Sequence, residues 1–309
     1  MRLMQAPDAV VMIRPHHFCS NPETRDDNAF QTLSNRDAAA TSGAALAEFD
    51  RAVTALRGAG VRVHVFDDES RDTPDSVFPN NWFSTHAGGD VAIYPMFAAN
   101  RRRERRQDVI EMLKRDYRVQ EVTDFSGLEA DGLALEGTGA MVLDHIGRIA
   151  YTVRSNRADP ILLERFCTRF NYEPIAFEAR DAMGRDVYHT NVLMGVATDY
   201  ALVCLDMIVD PERRRTVAER LAETGRAVID LSHAQIGEFA GNAIELTGDQ
   251  RILALSSRAL RALRPDQRAI IEKSARPLPL DIPTIETAGG SVRCMLAGIH
   301  LTRRPERTV

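Results

Sequence analysis

The sequence AMVLDHIGRIAYTV at residues 140–153, followed by PILLERFCTRF at residues 160–170, gives the clearest indication of the fold. Its first part holds two apolar and β-branched runs around an Asp-His-Ile-Gly turn, which predicts a β-hairpin. In the second part apolar residues recur at helical spacing after a proline, which predicts a helix. Together they predict one ββα unit, with a short extended piece after the helix.

The same order of elements recurs along the chain at intervals of about fifty residues, which predicts a ring or propeller of such units. We predict hairpins over 81–96, 140–153, 190–207 and 243–255, and helices over 41–58, 101–117, 160–170, 211–224 and 257–275. A last strand within 292–301 is expected to close against the first strand, 9–14. An ordinary α/β sheet with helices on one face is the alternative.

Composition narrows the classes of protein that the chain can belong to. With 309 residues, 44% of them hydrophobic, and a net charge of -5, the chain suits one large globular domain or two ordinary ones, with an ample core. The mildly acidic balance argues against a nucleic-acid partner. We expect the basic run at 101–106 to be the solvated face of a helix.

The four cysteines show no paired spacing, which argues against a zinc knuckle or a disulfide framework. His16, His17 and Cys19 lack a second cluster with which to bind a metal, so we expect none. Residues 1–8 lack the apolar core of a signal peptide, and no apolar run reaches the length of a membrane span. These features predict a cytoplasmic protein without a membrane partner.

A cysteine, a histidine and a glutamate form the candidate catalytic group. Cys294 follows the Gly289-Gly290 bend and precedes Met295, so that its thiol is expected at the lip of a cleft. His189 and Glu136 would serve as its base and as the orienter of that base. Arg293 favours a thiolate, because a nearby cation lowers a thiol pKa.

Each of these residues also has a structural interpretation. Cys294 can be a small buried hydrophobe, His189 a satisfied core histidine, and Glu136 a turn-stabilising acid in Glu-Gly-Thr-Gly. Asn80 and Asn81 stand beside the only tryptophan in an apolar stretch. Buried amides there must be hydrogen-bonded, either to the protein or to a ligand.

These motifs resemble the guanidine-modifying, or pentein, superfamily, and most closely its citrulline-utilisation hydrolases of the CtlX type. The resemblance rests on VFPNNWF at 77–83, LEGTG at 135–139, HTN at 189–191 and Cys294, and it covers most of the chain from Arg14 to Leu301. It implies a five-bladed α/β propeller of ββαβ repeats with pseudo-fivefold symmetry, which forms a single catalytic domain over residues 1–309 and needs no cofactor.

The resemblance also implies a role for each matching residue. Cys294 matches the nucleophile, His189 the general acid/base and Glu136 its carboxylate partner. Asp75 matches the acid that holds the substrate α-ammonium group. Arg101 and Arg157 match arginines that lie near the substrate α-carboxylate. Arg102 and Arg154 are the rival matches if the alignment register differs. The substrate-binding set is Asp75, Phe78, Asn80, Asn81, Arg101, Arg157 and Asn191.

Two departures from the arginine deiminases point to the substrate. Asn81 and Asn191 stand where those enzymes have aspartates that bind the cationic guanidinium. Neutral amides pair better with a neutral ureido group, since an unpaired buried carboxylate is costly. We therefore expect hydrolysis of citrulline to ornithine, ammonia and carbon dioxide through a covalent thio-adduct.

The alternatives are an arginine dihydrolase, an arginine deiminase or an amidinotransferase of the same fold, and a non-catalytic binding module. The expected partner is a small amino acid, citrulline or arginine, and the oligomeric state is left open, with a homodimer as one option. The polar segment 21–28 is predicted either to cover the site or, more simply, to cap a helix.

Overall fold

Repeated ββα units build the protein, as the hairpin–helix pattern predicts. The computed structural model describes residues 4–32 and 37–305. Residues 1–3, 33–36 and 306–309 of the predicted domain lie outside the described residues.

The strands are β1 (Ala9–Pro15), β2 (Arg62–Asp68), β3 (Phe83–His86), β4 (Asp90–Ile93), β5 (Glu121–Asp124), β6 (Met141–Asp144), β7 (Ile149–Val153), β8 (Glu173–Phe177), β9 (Met194–Val196), β10 (Tyr200–Val203), β11 (Ala227–Asp230), β12 (Ile244–Thr247), β13 (Arg251–Ser256), β14 (Arg276–Leu280) and β15 (Ala297–Gly298). The helices are α1 (Ala38–Gly58), α2 (Gln107–Asp116), α3 (Gly137–Ala140), α4 (Pro160–Phe170), α5 (Pro211–Ala222), α6 (His233–Gly237), α7 (Ser257–Ala262), α8 (Pro265–Glu272) and α9 (Val292–Met295).

In the described residues these strands form five three-stranded sheets, each built in the same way. An antiparallel hairpin is followed by one or two helices and then by a third strand parallel to the second. The sheets are β3-β4-β5, β6-β7-β8, β9-β10-β11, β12-β13-β14 and β15-β1-β2. In the last of these, β15 pairs with β1 through Val10 opposite Gly298, so one sheet joins two distant parts of the chain.

The unit formed by β6, β7, α4 and β8 shows why the sequence folds this way. The Asp159 side chain accepts hydrogen bonds from the first backbone N–H groups of α4, and Pro160 stands at its first turn. The buried residues of α4 recur at helical spacing and pack on the strands beneath, while Asn171 ends the helix in the left-handed region. They are Leu162, Leu163, Phe166, Cys167 and Phe170.

Two sequence predictions were wrong in their bounds. The helix predicted over 101–117 begins at Gln107, because residues 100–104 form a tighter 3₁₀ turn and Arg105 and Arg106 have extended backbones. This change turns Arg101 inward, where it is buried, so the basic run is not a uniformly solvated face. The strand predicted within 292–301 spans only Ala297–Gly298, because residues 292–295 form the helical turn α9.

Three histidines cluster near the turns of the β3–β4 and β6–β7 hairpins. His86 ends β3. His145 lies in the β6–β7 turn, and its ring stacks on that of His300 with the two ring centroids 3.8 Å apart. His86 Nε2 shares a hydrogen bond with Ser84, and its ring contacts Phe170 at 4.5 Å. Burial lowers the pKa of His86 and His145 well below the ordinary value, and that of His300 to about 4.

We expect His86→Phe to remove part of the acid sensitivity of the fold. The pKa of His86 is depressed in the native state, so below the ordinary value of 6.5 only the unfolded chain binds this proton. The free energy of unfolding therefore has its full value above pH 6.5, as far as His86 is concerned, and it decreases as pH falls from 6.5 towards the native pKa. Relative to the variant, the wild type should lose up to about 1.4 kcal/mol of unfolding free energy per pH unit.

Urea unfolding of both proteins at pH 7.5, 6.5 and 5.5 measures this difference. Phe166→Leu is the control, since it changes the packing beside His86 without removing a titrating group. The unfolding free energy of Phe166→Leu, plotted against pH, should run parallel to that of the wild type. Parallel curves for His86→Phe as well would contradict the expectation.

Across residues 4–32 and 37–305, no helix is both long enough and apolar enough to span a membrane. Within the same residues, no three histidine, cysteine, aspartate or glutamate side chains are placed to share a metal ion.

Candidate active site

The loops that precede the first strand of each unit converge on one place. α3 contacts both the 3₁₀ turn at Pro79–Asn81 and the one at Thr190–Val192, and α9 contacts the first of these turns. All of the candidate catalytic residues lie on these loops. The repeat of the fold therefore delivers polar side chains from different units to a common site.

Cys294 lies at the centre of α9 and is buried, with only 4% of its surface exposed. Its sulfur accepts hydrogen bonds from Asn191 Nδ2 and from Asn242 Nδ2, each at 3.3 Å. The backbone N–H of Cys294 donates to Ser291 O at 3.0 Å. The sequence predicted a thiol at the lip of a cleft, but the structure buries Cys294 and places two amide donors against its sulfur.

The two glycines before Cys294 are required by close approach. Gly289 has φ 83°, in the left-handed region, and a Cβ there would collide with the Asn28 side chain. A Cβ on Gly290 would lie 2.7 Å from the ring of Phe78. Phe78, one of the predicted substrate-binding residues, therefore packs against the backbone that presents Cys294.

His189 and Glu136 form the predicted pair. His189 Nε2 lies 2.8 Å from Glu136 Oε2, and both side chains are buried. Burial alone would raise the pKa of Glu136, but Arg157, His189 and Arg101 together hold it well below its usual range. Burial lowers the pKa of His189 against the opposing effect of Glu136, so the imidazole is neutral at pH 7 and able to accept a proton.

Asn81 closes the opposite side of the site. With its amide oriented to satisfy both atoms, Asn81 donates to Asn80 Oδ1 at 3.2 Å and accepts from the two Nη atoms of Arg101 at 3.0 and 3.1 Å. A Cβ on Gly139 would strike the Asn81 amide and lie 2.8 Å from His189 Nδ1. Gly139 therefore leaves open the space between the amide and the imidazole.

The structure distinguishes the rival arginines. Arg101 and Arg157 are each 2% exposed, and their Nη1 atoms lie 3.5 and 3.6 Å from Glu136 Oε2. Arg102 instead donates to the backbone oxygen of Met96 and pairs with Glu129. Arg154 is exposed. The predicted pair, and not its rivals, lies in the site.

Four carboxylates surround these two arginines. Asp75 pairs with Arg101 at 3.6 Å, and burial raises the pKa of Asp75 although Arg101 opposes the shift. Glu104 binds Arg101 through both oxygens at 2.9 to 3.2 Å. Burial raises the pKa of Glu104 to about 8, again against Arg101. Since Glu136 and Asp27 also contact the arginines, the cluster has more acidic than basic groups.

The polar segment 21–28 contacts the site as well as capping a helix. Asn21 caps the 3₁₀ turn Pro22–Thr24, but its amide also donates to Asp75 Oδ2 at 2.7 Å. Asp27 binds Arg157 through both carboxylate oxygens. α1 is capped separately by Asp37. The segment therefore covers the arginine cluster, as one interpretation predicted, whereas its capping is confined to its own 3₁₀ turn and does not extend to the helix that follows.

Sequence reasoning missed four of these contacting residues. Glu104 and Asp27 belong to charged runs, Asn21 to a polar loop, and Asn242 to the motif Gly-Asn-Ala at 241–243. Asn242 could have been found, because it precedes β12 as Asn191 precedes β9. The repeat itself was the signal. The cavity of about 320 Å³ beside Phe30 is lined by none of the predicted site residues.

One sequence family and several solved structures match this chain. The family described as "N,N dimethylarginine dimethylhydrolase, eukaryotic" matches residues 14–301. The substrate-bound N-terminal domain of ArgZ, an arginine dihydrolase from the ornithine–ammonia cycle in cyanobacteria, has a TM-score of 0.72 at 15% identity, covering 95% of this chain and 98% of its own. No match was found among curated proteins.

Two further structures extend the comparison. A binary complex of an AgrE mutant with L-arginine gives a TM-score of 0.73 at 17% identity, covering 99% of this chain but 41% of the AgrE chain. DDAH from Pseudomonas aeruginosa, as a cysteine-to-serine mutant complexed with citrulline, gives 0.63 at 15% identity, covering 97% of this chain and 100% of its own. At these identities the likeness shows the fold: an α/β fold of repeated ββα-like units.

Proposed function

Because this chain belongs to the N,N-dimethylarginine dimethylhydrolase family, in the guanidine-modifying superfamily of C–N hydrolases, we propose that it cleaves the ureido C–N bond of citrulline. The observation that carries the proposal is the environment of Cys294. Two neutral amides, Asn191 and Asn242, contact the sulfur, and a third, Asn81, stands beside Gly139 and His189.

The arginine cluster recognises the head of an amino acid. Asp75 is buried, accepts a hydrogen bond from the Asn21 amide and pairs with the Arg101 guanidinium. Burial nevertheless raises the pKa of Asp75, so an α-ammonium group would stabilise its charged form. The Asp27 carboxylate lies on Arg157 as the α-carboxylate of a substrate would. We infer that the substrate replaces Asp27 there when segment 21–28 moves aside, with Arg101 as the second cationic contact.

The neutral amides suit the other end of the molecule. Asn191 Nδ2 is occupied by the sulfur, while Asn191 Oδ1 is buried and has no hydrogen-bond partner among the described residues. A buried acceptor of this kind calls for an N–H group, which the ureido group provides. Because neither Asn191 nor Asn81 carries a charge, a neutral ureido group leaves no unpaired ion beside Cys294.

The reaction proceeds through a thio-adduct. Neutral His189 accepts the thiol proton, and the thiolate forms a bond to the ureido carbon. One C–N bond then breaks as its nitrogen takes that proton back from His189. Water adds to the same carbon and gives a proton to His189, and the C–S bond breaks as the departing sulfur takes that proton back. The carbamic acid that results loses carbon dioxide and releases the second nitrogen, so that the products are ornithine, ammonia and carbon dioxide. Glu136 holds the imidazole and stabilises its cation.

One observation favours arginine as a second candidate substrate. In its satisfied orientation the Asn81 amide accepts from both Nη atoms of the Arg101 guanidinium. A neutral amide in this site can therefore receive a guanidinium group, as an arginine dihydrolase requires in its first step.

Purified protein tests the two candidates side by side, with ornithine and ammonia measured after incubation with citrulline or arginine. Ornithine from citrulline, with little from arginine, is the expected result. Ornithine from arginine with two ammonia molecules per turnover would replace the proposal with the dihydrolase. Product from neither substrate would overturn both.

Asn81→Asp should shift the preference towards arginine. A carboxylate at this position gains a charge-assisted contact with a guanidinium and becomes a poorly paired ion beside a ureido group. We expect the ratio of kcat/KM for citrulline over arginine to fall about tenfold to a hundredfold. Asn171→Asp, at an exposed position that ends α4, is the control. Citrulline turnover equal to that of the wild type would contradict the charge argument.

We further propose that the five units are the blades of an α/β propeller within one catalytic domain over residues 1–309. Convergence of the loops that precede β3, β6, β9, β12 and β15 supports this arrangement. A cytoplasmic location remains a prediction from the cysteine pattern, and a homodimer remains open.

A further inference from the structure

Asn242 is a buried residue whose amide has a fixed orientation. Its side chain is fully buried in the loop between α6 and β12. Its Oδ1 accepts from the Arg293 backbone N–H at 3.0 Å, which can only donate. Its Nδ2 must therefore point the other way, where it donates to Asn191 O at 3.0 Å and to Cys294 Sγ at 3.3 Å.

This orientation makes Asn242 a donor that the nucleophile cannot lose by a rotation of the amide. A rotated amide would set its oxygen against the Asn191 carbonyl and an N–H against the Arg293 N–H, leaving both pairs unsatisfied. The Asn242 backbone is held too, since its N–H donates to Phe239 O at 2.9 Å. The contact with Cys294 is thus preorganised before any substrate binds.

The charged and titratable groups around the thiol do not replace this donor. The Arg293 guanidinium donates to Leu296 O at 3.0 Å, and the Tyr188 hydroxyl donates to Gly289 O at 2.9 Å. Both groups thus direct their donors at backbone oxygens. Among the hydrogen bonds of the described side chains, the sulfur receives those of Asn191 and Asn242.

We propose that Asn242 is a catalytic residue that stabilises the thiolate of Cys294 with a fixed neutral hydrogen bond. It acts together with Asn191, so that two amides from neighbouring units hold the sulfur. A neutral donor supports the thiolate without placing a cation next to the ureido carbon. The proposal rests on Cys294 being the nucleophile.

The test is the pH dependence of Cys294 alkylation by iodoacetamide, followed by mass spectrometry of the peptide that contains it. Asn242→Asp keeps the acceptor for the Arg293 N–H but sets a carboxylate against the sulfur. Asn242→Ala removes the donor without adding charge. We expect the midpoint of the alkylation profile to rise by about one pH unit in Asn242→Ala and by more in Asn242→Asp. Turnover at pH 7 should fall at least tenfold in both.

Gln267→Ala is the matched control. Gln267 is a buried amide on α8 whose Nε2 donates to Asp230 O at 2.9 Å, remote from Cys294, so its loss costs stability without touching the thiol. Its alkylation midpoint should equal that of the wild type. Either of two results would overturn the proposal. One is a wild-type alkylation midpoint in whichever of the Asn242 variants folds, and the other is a shift in Gln267→Ala equal to that in the Asn242 variants.

Failure of the proposed function would look different. If Cys294 is not the nucleophile, wild-type turnover survives alkylation of Cys294, whatever the Asn242 variants do. If only the present inference fails, alkylation still abolishes wild-type turnover, while the midpoint does not respond to Asn242.

Discussion

Cys294→Ala should lower turnover by about 10⁴-fold or more, the largest effect expected of any substitution in this chain. In the proposed reaction the Cys294 thiol forms the covalent bond, and both Asn191 and Asn242 direct their amides at its sulfur. Ammonia release from citrulline, and from arginine, measures the loss.

The control for this variant is Cys294→Ser. Alanine leaves the buried Asn191 amide without an acceptor, at a cost of about 1–3 kcal/mol, while Asn242 keeps the Asn191 carbonyl, so Cys294→Ala should also melt at a lower temperature. Serine keeps an acceptor and should restore much of the stability while remaining inactive. A folded alanine variant with near-normal turnover would remove Cys294 from the mechanism.

Glu136→Gln should lower kcat by about 10² to 10⁴-fold. The carboxylate accepts from His189 Nε2 at 2.8 Å, which leaves Nδ1 for proton transfer and stabilises the imidazolium once it forms. A glutamine can turn an N–H towards His189 Nε2, which favours the opposite tautomer. It also removes the negative charge that Arg101 and Arg157 share.

Substrate-protected alkylation of Cys294 separates chemistry from folding in this variant. Glu136→Gln should still react with iodoacetamide at Cys294, and substrate should still slow that reaction, although turnover is lost. Glu129→Gln serves as the control, because Glu129 pairs with Arg102 and Arg105 outside the site. If folded Glu136→Gln kept more than a tenth of wild-type kcat, Glu136 would not orient the base.

The hairpins and most helices could be predicted because their signals are local. Residues 140–153 carry two apolar, β-branched runs and a turn, and residues 159–170 carry a capping aspartate, a proline and an apolar stripe. The short C-terminal strand could not be predicted in its bounds. Ala297–Gly298 is defined by its pairing with β1, almost three hundred residues away, and nothing local marks where it begins.

Much of the candidate site could also be predicted, but its charge network could not. The resemblance indicated Arg101 and Arg157, and the structure places both beside Glu136. Glu104 and Asp27 were hidden, because a carboxylate that binds a buried arginine looks in sequence like any charged surface residue. Only the turn at 100–104 that ends before α2 brings Glu104 inward with Arg101.

The pairing of β15 with β1 gives the enzyme an order of completion during its synthesis. The loops carrying Asn81, Glu136, His189 and Asn242 leave the ribosome in that order, and Cys294 comes last, just before the strand that β1 awaits. A nascent chain can fold its middle units early, as each holds its own hairpin and helix. It has neither the proposed nucleophile nor a finished β15-β1-β2 sheet until residues 292–298 emerge, so we expect a prematurely terminated chain to be inactive.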